Sequence, residues 1–262
     1  MMQKIKFYKY QGAGNDFILI DNRKGDFDRK NEDLVHRLCD RRFGIGADGV
    51  MLLQDAENYD FEMVYYNADG REGSMCGNGG RCIVAFARDL GITHEKTDFL
   101  AVDGKHQASI HGDQVNLGMI DVEQVDKDGE AFVLNTGSPH YITLVEDLAR
   151  YAVYEKGKAI RNNERYREKG INVNFVEKEG EGYFVRTFER GVEDETLACG
   201  TGATAAAMAM AIHENREGSI EMPIRVLGGQ LTISFLKEGN RFSQVYLKGP
   251  AQFVFEGEIN IL

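Results

Sequence analysis

The chain lacks most of the features that mark metal, membrane and nucleic-acid proteins. Its four cysteines include no C-x-x-C pair, five residues separate Cys76 from Cys82, and no H-E-x-x-H occurs. A metal site is therefore not expected. No apolar run approaches the length that spans a bilayer, and the start Met1-Met2-Gln3-Lys4-Ile5-Lys6 has no signal-peptide core, so neither membrane insertion nor secretion is expected. Lysine and arginine total 31 against 42 acidic residues, a net charge of −11, which argues against nucleic acid or an anionic membrane as partner. Without a secretion signal, the cysteines read as reduced thiols of a cytoplasmic protein. Low-complexity segments are absent. Prolines number three, while thirty glycines fit many turns between strands.

The chain is organised around Glu189 to Gly202. Tyr183 to Phe188 alternates like a strand, and Ala203 to Ile212 is nearly all alanine and methionine, as in a buried helix. Cys199 thus stands where a glycine-rich turn becomes a helix. The first N–H groups of a helix have no partner within it and carry partial positive charge. They favour a thiolate at the turn and an anion beside it. The chain does this twice: Asn67 to Gly79 carries Cys76 ahead of a helical run from Gly80 to Leu90. The spacing from Cys76 to Cys199 also pairs Gly14 with Gly137, Asn15 with Ser138, Tyr66 with Glu189, Asn67 with Arg190 and Gly77 with Gly200. A gapless offset of this kind marks a duplicated domain. We place the two domains at 1–127 and 128–255.

In chain order, Lys4 to Tyr10 and Phe17 to Asp21 read as strands, and Asn31 to Asp40 as a helix behind an asparagine cap. Gly44, Gly46 and Gly49 form a literal G-x-G-x-x-G. A dinucleotide loop leaves a strand and opens a helix, whereas here a helix precedes and a strand follows, so that reading is rejected. Phe61 to Tyr66 is a strand. After the first apolar helix, strands are expected at 98–102, 107–110, 114–119, 130–134, 141–145 and 171–176, with 148–158 ambiguous. After the second helix they are expected at 219–222, 230–235, 243–248 and 252–255, and 256–262 reads as one further strand. A helix apolar on all sides must be enclosed. The expected fold class is α+β, with two pseudo-symmetric domains, each a sheet wrapped around a central apolar helix.

Cys39 and Cys82 lie on helical faces among apolar residues and read as buried small hydrophobes. Cys76 and Cys199 differ, since cysteine is a poor cap beside serine, aspartate or asparagine. A single nucleophile would not explain a second, symmetric thiol. A pair does, if the halves face each other across a pseudo-two-fold cleft. A carbon between the sulfurs then loses a proton to one thiolate and gains one from the opposite thiol, inverting its configuration. The helix starts would hold its carboxylate and the developing charge. No cofactor is needed for this chemistry.

These residues resemble the diaminopimelate epimerase family. The matching motifs are Gly12 to Phe17, Phe43 to Gly49, Asn67 to Gly70, Met75 to Cys82, Gly137 to His140, Asn172 to Phe175, Glu189 to Gly191, Glu195 to Gly202 and Gly228-Gly229, in order along nearly the whole chain. The resemblance implies interconversion of LL- and meso-2,6-diaminopimelate, a precursor of lysine and peptidoglycan, without pyridoxal phosphate. It implies β-barrel-like domains, a homodimer, and a last strand, 256–262, that returns to the first domain. It makes Cys76 and Cys199 the acid–base pair. Asn15, Asn67, Asn172 and Arg190 would hold the distal amino-acid end, with Arg190 on its carboxylate. Backbone N–H groups of Gly77, Asn78, Gly200 and Thr201 would hold the reacting carboxylate. His140 and Glu189 would position the reacting amine and tune the thiols. Two departures stand out: Ser138 replaces the usual asparagine before Pro139-His140, and the stretch from Arg190 to Cys199 is one residue longer than the common form.

Proline and hydroxyproline racemases are the nearest rivals. They have no distal amino-acid end to bind, so Arg190 with the three asparagines favours a bis-amino acid. A non-catalytic amino-acid binding protein or a redox-sensing dithiol would not need paired helix-start cysteines with an anion turn in each half.

Overall fold

The computed structural model describes residues 3–73 and 75–261; Met1, Met2, Ser74 and Leu262, which fall within stretches read above, lie outside it. The chain forms two compact units, residues 1–117 with 250–262, and 118–249.

The first unit contains β1 (Gln3–Gly12), β2 (Asn15–Asp21), α1 (Glu32–Cys39), β3 (Gly49–Gln54), β4 (Phe61–Asn67), α2 (Gly77–Asp89), β5 (Lys96–Ala101), β6 (Gly104–His111) and β7 (Gln114–Gly118). Asn31 caps α1 by accepting from the Leu34 N–H at 3.0 Å, the role its place before the helix suggested. Between α1 and β3 the chain runs from helix to strand, the reverse of a dinucleotide loop, as the reading of Gly44, Gly46 and Gly49 required. The second unit contains β8 (Asp126–Asp128), β9 (Ala131–Asn135), β10 (Pro139–Leu144), a 3-10 turn at Leu148–Arg150, α3 (Val153–Arg161), β11 (Asn172–Glu179), β12 (Gly182–Glu189), β13 (Asp194–Thr196), α4 (Gly200–His213), β14 (Gly218–Val226), β15 (Gly229–Glu238) and β16 (Arg241–Pro250). The last strand, β17 (Gln252–Ile261), pairs antiparallel with β1.

The duplication is visible in the strand pairing. Starting at β1, successive neighbours to β7 pair antiparallel, parallel, antiparallel, parallel, antiparallel and antiparallel. Starting at β9, the series β9, β10, β11, β12, β14, β15, β16 repeats that order. Register repeats too: Phe17 faces Gly49 in the β2–β3 ladder, and His140 faces Asn172 in the β10–β11 ladder. β17 flanks β1 as β8 flanks β9.

Each unit encloses one helix. α2 is buried from Gly77 to Ala87 and packs on β1, β2, β3, β6 and β17. α4 is buried from Ala203 to Ala211 and packs on β9, β10, β11, β12, β14 and β15. This is the sheet-around-helix α+β arrangement that the apolar runs demand.

Two boundaries differ from expectation, and one ambiguous stretch is resolved. The units divide at 117/118 rather than 127/128, because the Met119 N–H binds the Val245 carbonyl and Val122 exchanges bonds with Phe242. Residues 252–261 form one strand rather than two, since pairing with β1 continues past a register shift at Lys9/Tyr10. The ambiguous 148–158 stretch resolves into a 3-10 turn and α3. Its helical signal is weakened by Gly157, where a Cβ would lie 2.3 Å from that of Phe188, so the helix packs closely only with glycine there.

Since α4 has buried alanine on every side, added volume has nowhere to go. We expect Ala209→Leu to lower stability by about 1–3 kcal/mol, read as a lower urea midpoint with an unchanged m-value. An unchanged midpoint would contradict the enclosed helix.

Candidate active site

Both helices begin at the residue after a cysteine. Cys76 and Cys199 are the N-cap residues of α2 and α4, each with extended backbone and no side-chain capping bond. The first bond of each helix is the cysteine's own carbonyl accepting from Gly80 N–H at 2.6 Å or Ala203 N–H at 2.9 Å. The N–H groups of Gly77, Asn78 and Gly79, and of Gly200, Thr201 and Gly202, precede that bond and carry the positive end of the helix dipole.

In the first unit, the structure brings Asn15, Cys76 and Asn78 together. The Cys76 thiol donates to Asn15 Oδ1 at 3.8 Å, and Asn78 Nδ2 donates to the same oxygen at 3.2 Å. Asn15 in turn donates through Nδ2 to Asp48. Asp48 belongs to an ion network: Arg41 Nη2 is 2.8 Å from Asp48 Oδ1 and 2.7 Å from Asp16 Oδ1, and buried Lys9 is 2.7 Å from Asp16 Oδ2. Burial favours a neutral Asp16, but hydrogen bonds from Arg41 and Lys9 outweigh it and hold its carboxyl below the usual range. Asn67 ends β4, is exposed, and lies against Gly73; its side chain has no described link to the Asn15 cluster.

The sequence reading assigned no role to Arg81. It is fully buried, and its guanidinium donates to neutral acceptors: Gly77 O at 3.2 Å, Asn78 Oδ1 at 3.0 Å and Pro250 O at 3.3 Å. Burial lowers its pKa, and the nearby Cys82 and Cys76 oppose that shift. The available signal was a charge in the middle of an apolar helical run. The corresponding residue of α4 is Thr204, which donates to Gly200 O at 2.9 Å.

The second unit holds two side-chain groups. In one, Asn172 Nδ2 donates to Ser138 Oγ at 2.9 Å and to Pro139 O at 3.1 Å, while Asn172 Oδ1 accepts from the Arg190 N–H at 2.8 Å. Arg190 Nη2 reaches Ser138 Oγ at 3.3 Å and its Nη1 reaches Lys169 O at 3.1 Å. Ser138, the departure from the family pattern, thus joins Asn172 to Arg190. In the other, Asn174 Nδ2 lies 3.1 Å from His140 Nδ1 and Asn174 Oδ1 accepts from Thr187 Oγ1 at 2.9 Å. A Cβ at Gly202 would lie 2.3 Å from Asn174 Oδ1 and 3.3 Å from Cys199 Sγ, so the start of α4 rests on this group. Cys199 Sγ is 3.4 Å from Thr201 Oγ1. Glu189 Oε2 accepts from Thr196 Oγ1 at 2.9 Å.

The four thiols fall into two kinds. Cys39 and Cys82 are buried, and burial pushes each up to about 12, which makes them inert. Cys76 and Cys199 alone stand at helix starts.

The family model described as diaminopimelate epimerase matches this chain twice, over residues 7–125 and 132–254. The chain belongs to the diaminopimelate epimerase family. It is accordingly an enzyme of the isomerase class. The protein named diaminopimelate epimerase from Flavobacterium psychrophilum is 51% identical over 257 residues, covering 97% of this chain and 100% of the relative. That from Chlorobaculum tepidum is 43% identical over 260 residues, covering 95% and 99%. Among solved structures, a Bacillus anthracis phenazine biosynthesis protein of the PhzF family superposes with a TM-score of 0.79 at 15% identity, covering 99% of this chain and 100% of that one. A hydroxyproline epimerase from Agrobacterium vitis, with trans-4-hydroxy-L-proline bound, gives 0.73 at 14% identity, covering 98% and 93%. These structures share the fold. Among the described residues, no helix is long and apolar enough to cross a membrane.

His140 is wholly buried. Burial first, and then the Arg190 charge, lower its pKa from 6.5 to about 3. The folded protein therefore binds fewer protons there than the unfolded chain between those pH values, so stability rises with pH across that window and is lost as pH falls through it. We expect the wild-type protein to lose more stability than His140→Gln between about pH 6.5 and about pH 3, measured by urea unfolding. Parallel pH profiles for the two proteins would contradict a buried neutral imidazole. Gly202→Ala should displace Asn174 and lower kcat/KM, whereas the equivalent Gly79→Ala meets the flexible end of Met51 and should cost less.

Proposed function

We propose that the protein interconverts LL- and meso-2,6-diaminopimelate, with Cys76 and Cys199 as the acid–base pair and no cofactor, as a cytoplasmic homodimer supplying lysine and peptidoglycan synthesis. The observation that carries this reading is that each repeat of an epimerase-family chain begins its buried helix at a cysteine. One thiolate removes the α-proton and the opposite thiol delivers another to the other face. The sulfurs exchange protonation states with each turnover. The N–H groups of Gly77, Asn78, Gly200 and Thr201 hold the reacting carboxylate and the charge that moves onto it. Asn15, Asn67, Asn172 and Arg190 bind the distal amino-acid end, with Arg190 on its carboxylate. Glu189 and His140 act beside the reacting centre.

A proline racemase reading is weaker. It would leave the Arg190, Asn172 and Ser138 cluster without a ligand group to bind, and the relatives at 51% and 43% identity carry the diaminopimelate name.

Incubation of the purified protein with LL-diaminopimelate, followed by separation of stereoisomers, should yield the meso form. Cys76→Ala and Cys199→Ala should each lower kcat by about 10²–10⁴ while remaining folded; near-normal turnover in either would sink the two-thiol mechanism. Arg190→Ala should reduce diaminopimelate binding by about 1.5–3 kcal/mol, the worth of a charge-assisted bond. Faster turnover of proline than of diaminopimelate would overturn the substrate assignment.

A further inference from the structure

The buried group formed by His140, Asn174 and Thr187 has a defined hydrogen-bond direction. Asn174 Nδ2 is 3.2 Å from the Tyr141 carbonyl, an acceptor only, so the amide nitrogen must face that carbonyl. For its other hydrogen, His140 Nδ1 at 3.1 Å is nearer than the Asn172 carbonyl at 3.5 Å, and a protonated Nδ1 would set two donors against each other. The Thr187 hydroxyl completes the assignment by donating to Asn174 Oδ1 at 2.9 Å. Flipping the amide would set two carbonyl oxygens against each other. His140 Nδ1 is therefore an acceptor, and its proton resides on Nε2. Among the described residues, that Nε2 is fully buried without a hydrogen-bond partner, which is costly unless a ligand answers it.

The first unit shows that the fold does not require this polarity. Phe17 occupies the register position of His140, and Met51 that of Asn174. The start of α2 rests on Met51, with a Cβ at Gly79 lying 2.0 Å from Cε, as the start of α4 rests on Asn174. Shape is thus satisfied by an apolar pair in one repeat, while the other carries an amide and an imidazole.

We propose that Asn174 and Thr187 are positioning residues that hold His140 as the neutral Nε2–H tautomer, making the imidazole a hydrogen-bond donor to the ligand. Such a donor suits a carboxylate oxygen, a thiolate or an unprotonated amine. It cannot accept from an ammonium group, so His140 does not hold the reacting amine in its charged form. The ligand's identity rests on the proposed function, but the tautomer can be read without ligand.

The test is a long-range proton–nitrogen spectrum of the ligand-free full chain labelled with 15N-histidine, with His140→Gln assigning the signal. We expect a protonated Nε2 and a bare Nδ1 across roughly pH 5 to 8, where an ordinary histidine titrates. An Nδ1–H form, a mixture or an imidazolium in the wild-type protein would overturn the proposal, whatever the substrate. Asn174→Asp should reverse the tautomer, since a carboxylate accepts from Nδ1–H. Asn174→Met, the residue the first repeat carries, should leave both tautomers populated. By analogy with partners that orient metal-bound imidazoles, each should lower kcat/KM by roughly 10–100-fold at unchanged circular dichroism. An Asn174→Met protein with a single Nε2–H form and wild-type kcat/KM would show that Asn174 only fills space. Failure of diaminopimelate turnover with the expected tautomer present would count against the substrate reading alone.

Discussion

A helix buried on all sides has to begin somewhere, and its first N–H groups must meet something. That constraint governs both repeats. α2 and α4 are enclosed by strands, and each starts at a cysteine that offers no side-chain cap. A serine or aspartate there would satisfy a donor locally. Cysteine leaves the positive end of the dipole directed at the thiol and at whatever anion lies beside it. The glycines of the two turns permit close approach: at Gly202, a single added carbon would strike the amide that orients His140.

Around this common element the repeats have diverged. The first unit supports its helix start with a buried cation, Arg81, and with Asn15 held by Asp48 and the Arg41–Asp16–Lys9 network. The second has Thr204 in place of Arg81 and sets Asn174, bonded to His140 and Thr187, against the start of α4, with a separate group formed by Ser138, Asn172 and Arg190. Duplication supplied two equivalent thiols. The substitutions around them give each a different electrostatic setting.

Much of this was legible before the structure was known. The repeat, the two helix starts and the enclosed helices follow from glycine-rich turns ahead of apolar runs, and two-fold alternation marks most of the strands. The site was less legible. The link from Asn174 to His140 depends on parallel register between β10 and β11, which are distant in sequence, and no local pattern specifies register across such a connection. Arg81 drew no reading from the sequence, because its buried acceptors, Gly77 O, Asn78 Oδ1 and Pro250 O, are set by the folded helix and by a strand distant in sequence. α3 was obscured by Gly157, whose reason lies in contact with Phe188. Short strands such as β8 and β13 are too brief to show alternation.

The central claim is that two thiols, one from each repeat, serve the two faces of one carbon. It is tested most directly by running the reaction in deuterium oxide from undeuterated LL-diaminopimelate and examining the first product formed. The two-thiol account predicts that newly formed meso product carries deuterium at the inverted carbon, while unreacted substrate stays undeuterated at early times. The incoming proton comes from a thiol already exchanged with solvent. Product that retains the original hydrogen would show a single base carrying the proton from one face to the other, and would contradict the account.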